Sequence, residues 1–343
     1  MKAVRYDAYG ELPGVTDVPA PRCPEDGVLV RVAATGVCRS DWHAWQGHEP
    51  VPLPHVPGHE FAGVIAEVGP RVRHRRVGER VTTPFVCGCG TCDFCRAGEA
   101  QVCPRQTQPG FTGPGSFAEL VAVHAADLNV VPLPDSVDLV TAASLGCRFA
   151  TAYRALTVHG RVRRGDSLVV HGCGGVGLSA VMIASALGAR VVAVDLNDHA
   201  LRLAKELGAE AAVDAGQEPV RQVVELTGGG ADVSLDAVGS AATAVASVSS
   251  LRPRGRHVQV GLLLGPDARA PLPMDQVVAK ELEVYGSHGM PARDYPGLLD
   301  LVTAGTVRPD RLVGAVIGLD DAGAALAAMS RPAPGAGITV VRL

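Results

Sequence analysis

Between residues 167 and 286 the chain alternates short apolar segments, SLVVH, RVVAV, AAV, DVSLD, HVQVG and LEVYG, with helical stretches such as LSAVMIASALGA and ALRLAKELGA. Segments that are apolar on both faces must be covered on both faces, and crossover helices are how a parallel sheet achieves this. Six such strands with their crossovers predict a doubly wound parallel sheet, an α/β fold, over residues 149–288.

The first strand runs into His171-Gly172-Cys173-Gly174-Gly175-Val176-Gly177, and a helix follows. Gly172 permits a tight turn, Gly174 lets the backbone approach a pyrophosphate, and Gly177 allows close packing of helix on strand. Gly175 and Val176 stand at the helix N-terminus, where free N–H groups and the helix dipole favour an anion. Asp195 ends the next strand at the roughly 20-residue spacing expected of a carboxylate that binds a ribose diol. That charge would repel a 2′-phosphate, and Leu196, Asn197, Asp198 and His199 offer no Arg or Lys to neutralise one. The expected cofactor of this Rossmann-type domain is NAD rather than NADP. The competing reading is a glycine turn that binds nothing.

Before residue 150 the rhythm differs: VLVRVAATGV, FAGVIAEVG, ERVTTPFV and FAELVAV are β-type runs separated by Gly and Pro clusters. An irregular antiparallel barrel over residues 1–148 is expected. After residue 288, GAVIGLDDAGAALAAMS and ITVVRL read as a helix and a returning strand, so residues 289–343 are expected to complete the first domain. A chain of 343 residues with 47% hydrophobic content can bury two such cores. Its net charge of −4 gives no global attraction to nucleic acid or anionic membrane. The basic run RVRHRRVGER, from Arg71 to Arg80, is interrupted by Val, Gly and Glu and reads as a solvated turn rather than a polyanion patch. No apolar run reaches the ~18 residues needed to span a bilayer, and MKAVRYDAYGELPG lacks a signal-peptide core. A cytoplasmic location is the default expectation, and cysteines there read as thiolate ligands before disulfides.

Cys89, Cys92, Cys95 and Cys103 crowd into residues 87–104 among Gly88, Gly90 and Gly98. Thiolates at this spacing can fill all four tetrahedral positions of Zn²⁺ and give a closed, structural site. Disulfides are one competing reading; a nucleic-acid zinc ribbon is another, but the basic, aromatic surface it needs is missing. Cys23, Cys87 and Cys173 fall outside the array and are taken as non-ligands. Cys38, His59 and Cys147 are scattered, and each alone could be an ordinary buried thiol or histidine. Together, three dispersed ligands would leave a fourth zinc position open to water or substrate.

The runs Cys38-Arg39-Ser40-Asp41-Trp42-His43, Pro57-Gly58-His59-Glu60 and Gly146-Cys147-Arg148-Phe149-Ala150-Thr151 resemble the zinc-dependent alcohol dehydrogenases of the medium-chain dehydrogenase/reductase family. With the cysteine lobe, the glycine loop and Asp195, the resemblance covers essentially the whole chain in order. It implies a GroES-like barrel for the first domain, two zinc ions per chain, and Cys38, His59 and Cys147 as ligands of the catalytic one. By the same resemblance Glu60 is a carboxylate that approaches the metal during ligand exchange, and Asp41 orients the ligating imidazole. Ser40 would accept the substrate proton, His43 would pass it to solvent, Arg39 would touch the pyrophosphate, and Thr151 and Val176 would face the nicotinamide. Phe85 would form a wall of the substrate pocket.

The residue types suit that chemistry. Zinc can lower the pKa of bound water to about 7 and would acidify an alcohol in the same way. Hydroxyls ending in a histidine can carry the proton out of a dry site. One departure from the family pattern is that Gly335-Ala336-Gly337-Ile338-Thr339 lacks the Arg often found there as a second pyrophosphate contact. Both tryptophans and all six phenylalanines precede residue 150. With Trp42 beside His43, and with Phe85 and Phe149 at matched positions, an apolar pocket for medium-chain or aromatic alcohols and aldehydes is expected. The alternatives are a polyol-, threonine-type or biosynthetic zinc dehydrogenase on the same scaffold, and a non-catalytic zinc- and NAD-binding protein. A homodimer or homotetramer is usual in the family.

Overall fold

The computed structural model describes residues 1–331 and 335–343. The chain opens with β1 (Lys2–Arg5) and β2 (Gly14–Asp17), an antiparallel pair, followed by β3 (Val28–Val37), β4 (Phe61–Val68), β5 (Arg80–Thr82), β6 (Leu120–Val123) and β7 (Val131–Pro132). Strand β3, paired with β4, β6 and a C-terminal strand, is buried along almost its whole length because its side chains enter several cores: Val28, Val30 and Val32 one, Ala34 another and Val37 a third. Its register with β4 shifts between Leu29 and Val30 and again between Val32 and Ala34. Such bulges bend and coil a sheet toward a barrel.

Six parallel strands follow: β8 (Ser167–His171), β9 (Arg190–Asp195), β10 (Ala211–Asp214), β11 (Ala231–Asp236), β12 (Leu251–Gln259) and β13 (Glu283–Gly286). Their spatial order is β10-β9-β8-β11-β12-β13. Each of the six apolar segments named from sequence falls on one of them. The order is that of a Rossmann sheet, with the topological switch point at β8, beside which such folds bind their ligands.

The chain then returns through β14 (Val313–Gly318) and β15 (Ile338–Arg342). β15 pairs antiparallel with β3, Thr339 opposite Val37, which closes a seven-stranded sheet of order β14-β15-β3-β4-β5-β7 with β6 on β3.

A helical rod joins the two sheets: Leu139–Ala143, a π-helical turn Leu145–Phe149, Ala150–Arg154, and a second π-helical turn Ala155–His159. Its apolar residues Leu145, Phe149, Ala152 and Leu156 share one core with Ala34 and Ala62 of the barrel and Leu168, Leu178 and Val340. The two sheets are thus cemented through the rod. Extra backbone turns of the π type recur at functional sites because they re-aim side chains. Here the first of them presents Cys147.

Candidate metal and dinucleotide site

Cys38 leaves the end of β3 and caps the helix Arg39–Trp45, His59 lies just before β4, and Cys147 sits on the rod. All three are buried, and their donor atoms lie within 4.8 Å of one another. Asp41, fully buried, organises the cluster: its Oδ1 accepts from His59 Nδ1 at 2.8 Å and from Gly58 N–H at 3.0 Å, and its Oδ2 from Cys38 N–H at 3.2 Å. Asp41 therefore fixes the His59 tautomer and leaves Nε2 for something else. That Nε2 is buried with no hydrogen-bond partner. An orphaned imidazole nitrogen beside two thiols fits a borderline-soft cation such as Zn²⁺.

Proton sharing inside the cluster supports the same fit. Cys147 and then Arg148 and His59 hold the Cys38 thiol well below its ordinary pKa against the effect of burial, while its neighbour Cys38 and burial push Cys147 up. Burial opposes charge on His59, yet Asp41 and Cys38 outweigh it and raise the imidazole. Without a metal the cluster keeps protons that an ion of charge 2+ would displace.

Beside the ligands, Glu60 and Arg148 form a buried ion pair: Glu60 Oε2 accepts from the Arg148 guanidinium and Oε1 from the Arg148 backbone N–H at 2.9 Å. Arg148 Nη1 also donates to the carbonyl of Val37 at 3.1 Å. Glu60 is thereby tethered in this structure to the residue next to Cys147.

The cluster opens into a cleft of about 570 Å³ between the barrel and the carboxyl ends of the parallel strands. Gly172, Gly174, Gly175, Val176 and Asp195 line it from the sheet side, and Arg39, Ser40 and His43 from the barrel side. The glycines differ in what they permit. Gly172 has φ +92, the left-handed region; a Cβ on Gly177 would lie 1.7 Å from the Gly172 carbonyl oxygen, whereas one on Gly174 would meet nothing within 4 Å. The space at Gly174 is what an approaching pyrophosphate requires. Asp195 holds the loop from below, accepting from Cys173 N–H at 2.5 Å and Asn197 N–H at 2.8 Å. Thr151 Oγ1 is buried without a partner, a hydroxyl left for a ligand group.

Two expected pocket walls are placed differently. Phe149 has no exposed surface and packs in the shared core, because its π-helical turn points Cys147 at the cluster and Phe149 into the interior. Trp42 is not among the residues that line the cleft: its Nε1 donates to Ser330 Oγ at 2.9 Å, the cleft-lining Arg39 lies 4.8 Å above its ring, and His43 and His48 meet it edge-on. Phe85 does stand at the site, 6.0 Å from His59 between ring centroids. Phe111 at 5.0 Å from His59, and His288 at 5.1 Å from Phe85, complete an aromatic collar that sequence reasoning missed. Arg148 and Arg331, both lining the cleft, were also missed as cations there. Arg331 stands four residues before the stretch in which the missing Arg was sought.

The compact cysteines lie apart from this cleft. Cys92 Sγ is 3.5 Å from Cys95 Sγ and 3.6 Å from Cys103 Sγ, and all four sulfurs lie within 4.8 Å of one another. Zn–S bonds of 2.3 Å in a tetrahedron place sulfurs about 3.8 Å apart. Gly90 at φ +74 and Gly98 at φ +84 supply the turns that bring them together. Cys87, next to the array, instead points into the barrel core, where burial pushes its thiol up to about 12. Cys87, Cys23 and Cys173 join neither ligand group among the described residues.

Two cysteine sulfurs and an imidazole clustered at a cleft lined by a glycine loop and the carboxyl ends of a parallel sheet define a class: metal-dependent dehydrogenases built from a barrel and a Rossmann sheet. Comparison with known proteins agrees. Residues 24–135 match the alcohol dehydrogenase GroES-like domain and residues 175–304 the zinc-binding dehydrogenase domain. An alcohol dehydrogenase of Geobacillus stearothermophilus is 37% identical over 311 residues, 90% of each chain. A sorbitol dehydrogenase of Halalkalibacterium halodurans is 34% identical over 87% of each. The solved alcohol dehydrogenase TADH from Thermus sp. ATN1 superposes with a TM-score of 0.92 at 33% identity, covering 100% of this chain and 99% of that one. The chain belongs to the zinc-dependent alcohol dehydrogenases of the medium-chain dehydrogenase/reductase family. It is an oxidoreductase that works with zinc and a nicotinamide cofactor.

Proposed function

We propose that the enzyme interconverts apolar or aromatic alcohols and their aldehydes or ketones, with NAD as the preferred cofactor and two zinc ions per chain. The observation that carries this reading is the orphaned His59 Nε2, clustered with the Cys38 and Cys147 sulfurs at a cleft that also holds the glycine loop and Asp195. When bound, zinc would supply Lewis acidity toward the substrate oxygen and the nicotinamide would exchange a hydride with the adjacent carbon.

The remaining work falls to the chain's own side chains. Cys38, His59 and Cys147 would hold one zinc, with the two thiolates offsetting its charge; Cys89, Cys92, Cys95 and Cys103 would hold the other. Asp41 keeps His59 oriented through Nδ1. Glu60, tethered to Arg148 in this structure, would be the carboxylate available to the metal. Ser40 accepts the proton that the alcohol sheds, and His43 moves it outward. Asp195 takes a ribose diol and disfavours a 2′-phosphate, Arg39 meets the pyrophosphate, and Gly174 and Gly175 admit it. Thr151 and Val176 would face the nicotinamide. Phe85 forms the pocket wall, together with the rings of Phe111 and His288. Among the described residues no helix is long and apolar enough to cross a membrane. The cytoplasm is the proposed compartment, because thiolate ligands stay reduced there. The proposed assembly is a homodimer or homotetramer.

Steady-state turnover over a panel of alcohols and carbonyls with NAD(H) and NADP(H) tests the reading. It expects kcat/KM to rise with apolar bulk and to favour NAD. Efficiency that rises with polyhydroxylation would move the assignment to the polyol branch, to which the sorbitol dehydrogenase relative belongs by name.

A further inference from the structure

We propose that the proton path does not end at His43: it continues into His48, which exchanges the proton with solvent. The inference rests on the dehydrogenase reading above, with Ser40 and His43 in the path, and adds to it a residue outside the runs that carry the family resemblance.

The geometry is specific. His43 Nδ1 and His48 Nδ1 are 3.1 Å apart, so one ring must donate to the other. His43 lines the cleft and is half-buried; His48 is exposed. The backbone fixes this pairing. The helix Arg39–Trp45 is followed by Gly47 in the left-handed region at φ +76, and the turn is closed by the His48 N–H donating to the His43 carbonyl at 2.9 Å. A side chain on Gly47 would also press on the Tyr9 ring, 3.1 Å from its Cβ. Trp42 then braces both imidazoles, edge-on at 5.0 Å from His43 and 5.3 Å from His48.

Charge around His43 explains why it needs a successor. Burial, His48 and Arg39 together hold its pKa down to about 4, against a small opposing pull from Cys38. At neutral pH His43 is therefore a neutral imidazole, unable to store a proton but able to conduct one. In alcohol oxidation His43 takes a proton on Nε2 and gives the one on Nδ1 to His48 Nδ1, and His48 sheds its Nε2 proton to water. One proton enters, one leaves, and a tautomer shift in both rings restores the starting state. In the reverse reaction the same steps deliver a proton from solvent.

The test uses His48→Gln and His43→Gln in the full-length, zinc-loaded enzyme, with single-turnover alcohol oxidation followed against pH and against added imidazole. For His48→Gln the proposal expects a rate lower by on the order of 10-fold near neutral pH, smaller than the full ~10²-fold of a general acid–base group because water can partly substitute. It expects KM for the alcohol to be unchanged, the pH profile to be displaced, and imidazole to restore the rate. In protein carrying ¹⁵N-labelled histidine, His48→Gln must also shift the ring nitrogens of His43, cofactor present or not. A His48→Gln enzyme with the parent rate and pH profile, a loss that imidazole does not restore, or unshifted His43 nitrogens would overturn the proposal. If His43→Gln is impaired while His48→Gln is not, only the added step fails. If neither variant is impaired, the reading of His43 as a relay fails with it.

Discussion

The Arg148 guanidinium and the Glu60 carboxylate form a buried ion pair that touches three parts of the fold at once. Glu60 is fully buried next to His59, Arg148 follows Cys147 on the rod, and a Cβ on Gly175 of the glycine loop would come within 2.4 Å of Arg148 Cδ. Gly36 on β3 is bare for the same reason, since a Cβ there would strike the Glu60 carboxylate at 2.4 Å and the guanidinium at 2.5 Å. Removing one partner of such a pair strands the other charge in the interior. We expect Arg148→Ala to lose about 3–5 kcal/mol of stability. The double variant Arg148→Ala/Glu60→Gln should recover part of that loss, because no buried charge is left behind. Urea unfolding of four proteins, the parent, Arg148→Ala, Glu60→Gln and the double variant, measures it; additive losses would contradict the coupling.

The glycine loop predicts opposite outcomes for two alanine substitutions. In Gly177→Ala the new methyl group would sit 1.7 Å from the Gly172 carbonyl oxygen, so helix and strand must part and thermal stability must fall. In Gly174→Ala it meets nothing within 4 Å. That variant should melt with the parent protein yet bind NADH at least about 10-fold more weakly, about 1.4 kcal/mol, by fluorescence titration. A Gly174→Ala protein with parent affinity would remove the pyrophosphate from that position.

For the cysteine lobe, Cys95→Ser should lower the melting temperature and the zinc content by one ion while leaving kcat of the folded fraction close to the parent, because closed zinc sites contribute folding energy. Differential scanning calorimetry with metal analysis checks both. Loss of one zinc at unchanged melting temperature would deny the lobe a structural role.

His171, the last residue of β8, gives the pH prediction. Burial and then His257 hold its imidazole down to about 4, from an ordinary 6.5. Between those values the unfolded chain binds a proton that the native chain refuses, so stability rises with pH across that window. The contribution is fully present above about 6.5 and lost as pH falls toward 4, with a full span on the order of 3 kcal/mol. His171→Asn should therefore reduce proton uptake on unfolding at pH 5 by close to one proton per chain. An uptake equal to that of the parent would show that His171 is charged in the fold.

Much of this was legible in the chain itself, for identifiable reasons. The six parallel strands declare themselves because strands covered on both faces are apolar throughout, and the cysteine lobe because its four cysteines are close in sequence. Cys38, His59 and Cys147 were identifiable only through their neighbours, since sequence distance hides spatial adjacency. Phe149 was misplaced for a physical reason. A π-helical turn shifts the angular order of side chains, and nothing in GCRFAT announces it. Trp42 was misplaced because its partner Ser330 reaches it only when the C-terminal segment returns. Arg148 was given no role because its partner Glu60 is 88 residues away along the chain, and the pairing of His43 with His48 depends on one left-handed glycine between them.

The central claim is that Cys38, His59 and Cys147 hold a zinc on which turnover depends, separate from the zinc of the cysteine lobe. Zinc per chain, measured together with alcohol turnover in the parent and in Cys38→Ser, tests it most directly. The account predicts two zinc ions and turnover in the parent, and one zinc, a retained fold and no turnover in the variant. Two zinc ions with undiminished turnover in Cys38→Ser, or full activity in a parent holding a single zinc, would contradict it.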